Sequence, residues 1–460
     1  MEGNEQRARD FLIEMTQALD IAPEHASHVR FSGSGALPSI FAVTDFATAA
    51  IGAAGAAARE FLQSVSADVQ EVRVDRRLAS LWFGFTIRPQ GWSLPAPWDP
   101  IAGDYRGEDG WIRLHTNAPH HRAAALAVLS AEADRSAVAR KVARWRIEPL
   151  EQAIIQNKGC AAAMRSMAAW AQHPQGRCVA GEPLMATRAT EDTGAAIRPA
   201  TAARPLQGVR ILDLTRVLAG PVATRFLAGL GADVLRIDPP GWEEPGVIPE
   251  VALGKRCARL DLREGSGRVR FRALLGEADV LVHGYRPDAL EGLGWSAAAR
   301  RAARPGLVDV SLDAYGWTGP WRARRGFDSL VQMSAGIADA GMSVLGKDRP
   351  TPLPVQALDH ATGYLMAAAV LRGLTERAAS GRGFEARASL ARTAQLLIAG
   401  PRGDLSAHPI GSALDADWSH VMEANSLGPL QRLKSPITFG DTPLCWDRPA
   451  AALGSSAPSW

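Results

Sequence analysis

Between Leu206 and Pro240 the apolar residues change rhythm twice. Val209, Ile211, Leu212 and Leu214 form a short, nearly continuous apolar run, the pattern of a strand buried on both faces. Val222, Phe226 and Leu230 then recur at helical spacing, and Val234, Leu235 and Ile237 make a second strand. The pattern predicts a β-α-β unit, the opening of a doubly wound, Rossmann-like α/β domain. Asp238 stands at the end of the second strand, where a ribose-binding acid sits in dinucleotide folds. The turn, however, carries Gly220 followed by Pro221 instead of G-x-G-x-x-G. Proline has no amide hydrogen to offer a phosphate, so the turn argues against a pyrophosphate cradle.

A second pattern recurs at a distance. AVTDFATAAIGAAGAAAREFLQ from Ala42 and QALDHATGYLMAAAVLRGLTER from Gln356 share an aspartate, one variable residue and Ala-Thr ahead of an alanine-rich helical run. Each then reaches a strand-like segment, around Arg73 and Arg387, at the same distance from its aspartate. This reads as an internal repeat. The polar, proline-containing stretch 186–205 lacks apolar period and reads as a linker. The expected organisation is therefore residues 1–185 as a partial first copy, 186–205 as linker, and 206–460 as the large domain with a short tail.

The string LQGVRILDLTRVLAGP, its helix and GADVLRIDPPG resemble the amino-terminal signature of the family III CoA-transferases, the CaiB/BaiF family. The likeness continues through KRCARLDLREGSGR (Lys255–Arg268), ADVLVHGYRPDALEGLGW (Ala278–Trp295), GFDSLVQMSAG (Gly326–Gly336) and the stretch from Leu358 to Gly383, so it covers roughly residues 206 to 400. Asp104–Leu129 and Leu150–Gly176 are similar to parts of the family's smaller α/β domain, which in the family follows the catalytic helix and here precedes the large domain. The resemblance thus implies a rearranged order, with a homodimer or an intrachain pseudo-dimer standing in for the family's interlocked subunits.

What the resemblance implies about chemistry centres on Asp359, matching an aspartate that forms covalent intermediates with acyl-CoA. Its place before an apolar helical run suggests a helix N-cap, where free amides favour a carboxylate, and Gly363 one turn later would leave room for a large group. For CoA, Arg216, Val217, Leu218 and Ala219 match positions facing the nucleotide and pantetheine. Lys255 and Arg256 offer cations for phosphates, and Tyr285 and Arg286 match a further binding segment. His283, Gly284 and Asp288 depart from the family pattern there. Asp45 occupies the equivalent place in the first copy, but Ala49 replaces the glycine, so it reads as a relic cap.

The implied activity is transfer of CoA from an acyl-CoA to a small carboxylic acid, with no tightly bound cofactor. Two alternatives stand beside it: a noncatalytic CoA-binding or partner protein of the same fold, and a 2-methylacyl-CoA racemase. The racemase uses a histidine where Phe327 stands, and a phenyl ring cannot relay a proton.

Composition changes this picture little. The chain has 460 residues, 47% apolar, with a net charge of +3 and scattered arginines, which gives no nucleic-acid footprint. No apolar run approaches a membrane span and MEGNEQRARDFLIEM is charged, so a cytoplasmic protein is expected. Cys160, Cys178, Cys257 and Cys445 have no paired spacing. His115, His120 and His121, near Asp104 and Asp109, lack the spacing of a zinc site, so no metal is expected.

Overall fold

The computed structural model describes residues 2–65, 70–192, 201 and 203–460. At its centre lies a seven-stranded sheet built from β7 (Ala186–Asp192), β8 (Arg210–Leu214), β9 (Asp233–Asp238), β10 (Lys255–Arg259), β11 (Val280–His283), β12 (Val308–Asp313) and β13 (Arg382–Ser389), in the order β10-β9-β8-β11-β12-β13-β7. All pairings are parallel except that of β7 with β13. The chain runs from β8 outward through β9 to β10, then returns to the other side of β8 at β11. The strand order therefore reverses between β8 and β11, and a crevice opens at their carboxyl ends. The apolar runs read as strands form β8 and β9, and the helical rhythm between them is the helix Ala219–Gly229.

One expected linker is in part a strand. Residues 186–192 form β7 and pair with β13 from Arg382↔Asp192 to Arg387↔Ala186. The segment is polar and has no apolar period, and an edge strand, with only one of its sides paired, can form without one. Residues 193–200 and 202 of that expected linker lie outside the described residues.

Three smaller sheets surround this centre. β1 (Val29–Ser32) and β2 (Val72–Asp75) are joined by β16 (Ile437–Phe439) and β17 (Thr442–Pro443) from the far end of the chain. Likewise β3 (Ile87–Pro89) pairs with β15 (Leu430–Leu433), which pairs with β14 (Trp418–Glu423). The expected tail of the large domain is therefore shared with the N-terminal region. β4 (Gly103–Arg106), β5 (Trp111–Leu114) and β6 (Ala161–Ala163) make an antiparallel sheet with its own core of Ile112, Leu114, Val138, Leu150 and Ile154.

The alanine-rich stretches form the helices Val43–Val65 and Ala357–Ser380, which pack lengthwise against each other inside one continuous core. Small side chains let their backbones approach closely, which explains the alanines without appeal to helix propensity alone. Ala219–Gly229 packs on the other side of the Ala357–Ser380 helix. Among the described residues no helix is long and apolar enough to cross a membrane.

Candidate active site

The turn after β8 is held from beneath by a buried polar knot. Asp213 accepts hydrogen bonds from the Thr215 amide (2.8 Å), the Thr224 hydroxyl (2.6 Å) and Lys255 Nζ (3.1 Å). Lys255 also donates to the Pro221 carbonyl and is fully buried, so it fastens the helix start to the sheet. The expectation that Lys255 meets phosphates is thereby corrected: its charge is spent on Asp213. Arg256 is corrected too. It binds Asp233 (2.8 Å) and the Ser459 carbonyl and lines neither of the cavities described below.

Above the knot the backbone is strained. Val217 has φ of +66°, a left-handed conformation that a β-branched residue rarely takes. Such strain costs on the order of 1–3 kcal/mol, and here the Val217 amide is held by Glu244 Oε1 at 2.8 Å. The conformation turns Val217 and Leu218 toward the crevice. Gly220 is required on packing grounds, since a Cβ there would lie 2.3 Å from Thr215 Cγ2.

A cavity of about 380 Å³ fills the crevice at the sheet's switch point. Arg216, Tyr285, Arg286, Arg324 and Arg325 line it, together with the Val217–Ala219 turn. Arg216 lies between the rings of Trp242 and Tyr285, 4.9 and 5.3 Å from their centroids, and donates to the Tyr285 hydroxyl at 3.0 Å. Arg324 is engaged by Glu151 at 2.8 Å. Among the described residues Arg286 and Arg325 have no acidic partner within 4.0 Å, so their charges are available to an anion. Asp238 is buried against Arg236 at 2.8 and 3.0 Å and is not free to hold a ribose. Asp313, at the end of β12, also faces the cavity, and burial pushes its carboxyl up to about 8.

Asp359 lines this cavity and a second one of about 260 Å³ on its other side. The two share Val217, Leu218, Phe327 and Asp359, so the aspartate stands at their junction. Its position differs from the expected N-cap: the helix begins at Ala357, and Asp359 is its third residue. Asp328 does the capping instead, with its Oδ2 accepting from the amides of Leu358 (2.8 Å) and Asp359 (3.0 Å). Among the described residues no donor reaches the Asp359 carboxylate. Burial, then the neighbouring Asp328 charge, raises its pKa well above the ordinary carboxylate range. Asp328 itself is pushed up to about 6, chiefly by burial.

The second cavity is walled in part by residues from 83–117, among them Phe83, Phe85, Trp98 and His115, and by Phe327. Phe327 stacks face to face on His115, with centroids 3.7 Å apart. Gly363 also differs from expectation. The space beside it is filled, since a Cβ there would lie 2.4 Å from the Ala219 carbonyl oxygen. The glycine lets the Ala219–Gly229 helix come close and so brings the Val217–Ala219 turn beside Asp359.

Of the residues singled out in the sequence, Asp359, Arg216, Val217, Leu218, Ala219, Tyr285 and Arg286 converge on the first cavity. Sequence reasoning missed Arg324, Arg325, Asp328 and the wall around Trp98. Arg324, Arg325 and Asp328 lay in or beside a GFD segment noticed only for its phenylalanine. No local signal marked the wall.

A doubly wound sheet whose switch-point crevice joins a cluster of arginines to an uncompensated buried carboxylate defines an α/β protein suited to holding an anionic ligand beside that carboxylate. Residues 206–405 match the model of CoA-transferase family III. It is 34% identical over 193 residues to a Mycobacterium tuberculosis protein named "Probable fatty acyl-CoA transferase Rv3272", covering 39% of this chain and 48% of that one. It is 33% identical over 195 residues to the succinyl-CoA:glutarate CoA-transferase of Mus musculus, covering 39% and 44%. A CaiB/BaiF family protein from Brucella suis, known from a crystal structure, is 26% identical, covering 49% and 65%, with a TM-score of 0.38. The chain spans about half the length of the first two relatives.

Proposed function

We propose that this protein moves CoA from an acyl-CoA to a carboxylic acid through covalent intermediates on Asp359. The observation that carries the reading is the position of Asp359 at the junction of an arginine-lined cavity and a second cavity, with no cation or donor holding its carboxylate. A carboxylate so poorly stabilised, once ionised, is a better nucleophile than a solvated one. Arg286 and Arg325, with Arg216 stacked between two rings, are suited to the phosphates and adenine end of CoA.

The steps balance without an external reagent. Asp359 attacks the thioester carbonyl, forming an acyl-aspartyl anhydride and expelling CoA thiolate. The thiolate attacks the aspartyl carbonyl, giving an aspartyl-CoA thioester and releasing the donor acid. The acceptor carboxylate attacks that thioester, again giving an anhydride and CoA thiolate. Attack of the thiolate on the acceptor's acyl carbonyl then yields the new acyl-CoA and restores Asp359. The arginine-lined cavity keeps the thiolate bound between steps, which makes its return effectively intramolecular.

The packing of the two alanine-rich helices within one chain, and a second cavity walled in part by residues from 83–117, also support reading the chain as an intrachain pseudo-dimer. Its own N-terminal region then completes the site.

The test is incubation with a panel of acyl-CoAs, trapping with hydroxylamine and peptide mass spectrometry. We expect a hydroxamate on Asp359 and CoA on an added acid. Absence of both across the panel, with CoA still bound, favours a noncatalytic CoA-binding protein, for which the engagement of Lys255 and Arg256 elsewhere in the fold is the supporting observation. Rapid α-deuteration of a 2-methylacyl-CoA in deuterated water, without acceptor turnover, would point to racemase chemistry instead.

A further inference from the structure

We infer that the second cavity selects an uncharged, apolar monocarboxylic acyl group and rejects dicarboxylates. This rests on the transferase reading only in assigning the CoA moiety to the arginine-lined side. The walls are Phe83, Phe85, Pro97, Trp98, Val247 and Val355. Two of these are unusual for large apolar side chains, Phe85 being 45% and Trp98 36% exposed, so the cavity presents apolar surface that a ligand would cover.

The charges around this cavity all have the wrong sign for a second carboxylate. Among the described residues no lysine or arginine lines it, and its ionisable acids are Glu250, Asp328 and Asp359. Glu250 is already engaged by Arg225, Thr86 and Arg432, so these cations are committed behind the wall. The two histidines cannot substitute for a cation. Burial holds His115 neutral, with its pKa lowered to about 3, and pushes His360 well below its ordinary value. The distal carboxylate of a bound dicarboxylate would therefore be buried beside acids with no counter-ion, which costs far more than burying a methyl end. The first cavity, where free arginines do gather, is taken up by the CoA moiety.

His115 is one of several uncharged polar groups in the lining. Its ring is fixed by stacking on Phe327, and its Nδ1 is buried without a partner. Together with Asn117 and Gln356 it offers hydrogen bonds to a neutral group but no charge. Carbonyl or hydroxyl substituents on the acyl chain are thus compatible with this cavity, and carboxylates are not.

The experiment compares hexanoyl-CoA with succinyl-CoA by equilibrium calorimetry on the full chain. It then compares hexanoate with glutarate as acceptors. Hexanoyl-CoA is expected to bind at least tenfold more tightly, and hexanoate to exceed glutarate in kcat/KM by roughly 100-fold. Phe85→Arg, at a partly exposed wall position, should narrow both ratios. If it fails to fold, the wild-type ratios decide. Equal or tighter binding of succinyl-CoA overturns the inference even where transfer is brisk. Tight, selective binding of hexanoyl-CoA without transfer to any acid upholds the inference and overturns the transferase reading.

Discussion

Asp45 and Asp359 are each the third residue of a long alanine-rich helix, and the two helices lie side by side in one core. Their surroundings are opposite. Asp45 is clamped by Arg76 Nη2 at 2.7 Å and Arg7 Nε at 3.2 Å. Among the described residues no cation pairs with Asp359, and the charge that acts on it is another carboxylate, Asp328. The switch is traceable to one matched position. Arg76 opens the helix after β2, and at the same offset from Asp359 the helix after β13 opens with Leu390, which lines the first cavity. The same position in two packed helices therefore makes a structural ion pair in one and an unneutralised carboxylate in the other, and the partner residue decides which.

The comparison predicts a double dissociation. Asp359→Asn should abolish CoA transfer while leaving the urea midpoint near that of wild type, because its carboxylate accepts no hydrogen bond; full activity in this variant removes the nucleophile assignment. Asp45→Ala should do the reverse, costing about 3–5 kcal/mol of stability, as breaking a buried pair does. Its turnover below the transition should be retained, and a dead but stable Asp45→Ala enzyme would mean that the two halves have exchanged roles. Leu390→Arg copies the first half's partner into the second. It should cut transfer at neutral pH by about tenfold or more, because an ion-paired Asp359 carboxylate is a weaker nucleophile, even as the added cation lowers its pKa; unchanged turnover would show that Arg76 is not what silences Asp45.

Gly363→Ala tests the packing difference between Gly363 and Ala49. A Cβ at 2.4 Å from the Ala219 oxygen must displace the neighbouring helix, at about 1–3 kcal/mol, whereas Ala49→Gly should cost about 0.5–1 kcal/mol. The smallest effect concerns pH. Asp359 must be ionised to attack, and burial with Asp328 raises its pKa, so the acid limb of kcat/KM should lie above the ordinary carboxylate range. Asp328→Asn removes the neighbouring charge and should move that limb to lower pH, while its amide oxygen can still accept from Leu358 and Asp359. Asp328, raised to about 6, holds its proton longer folded than unfolded. Stability should therefore fall as pH rises through 6 in wild type, and less so in Asp328→Asn. A limb that does not move would locate the pKa shift in burial alone.

The sheet's first unit was legible because strand and helix rhythms are local, and Arg216, Tyr285 and Arg286 were legible only through their match to the segments that carry the family resemblance. Lys255 was misread because its partner, Asp213, lies on another strand 42 residues away, and no local spacing records a pairing across a sheet. The same reason hid Asp328, whose capping of the Asp359 helix spans 31 residues, and the apolar wall, which comes from a different part of the chain. β7 escaped notice because an edge strand needs no apolar face pattern.

The pairing of β16 with β2 sets a timetable for synthesis. Arg73 on β2 and Asp441 just beyond β16 are bonded at a separation of 368 residues, so translation at about 5–20 residues per second leaves that edge of β2 bare for roughly 20–70 s. Bare strand edges recruit other chains. The nascent protein thus needs shelter over that interval, and a ribosome stalled before β16 would release a chain with the β1–β2 sheet still open.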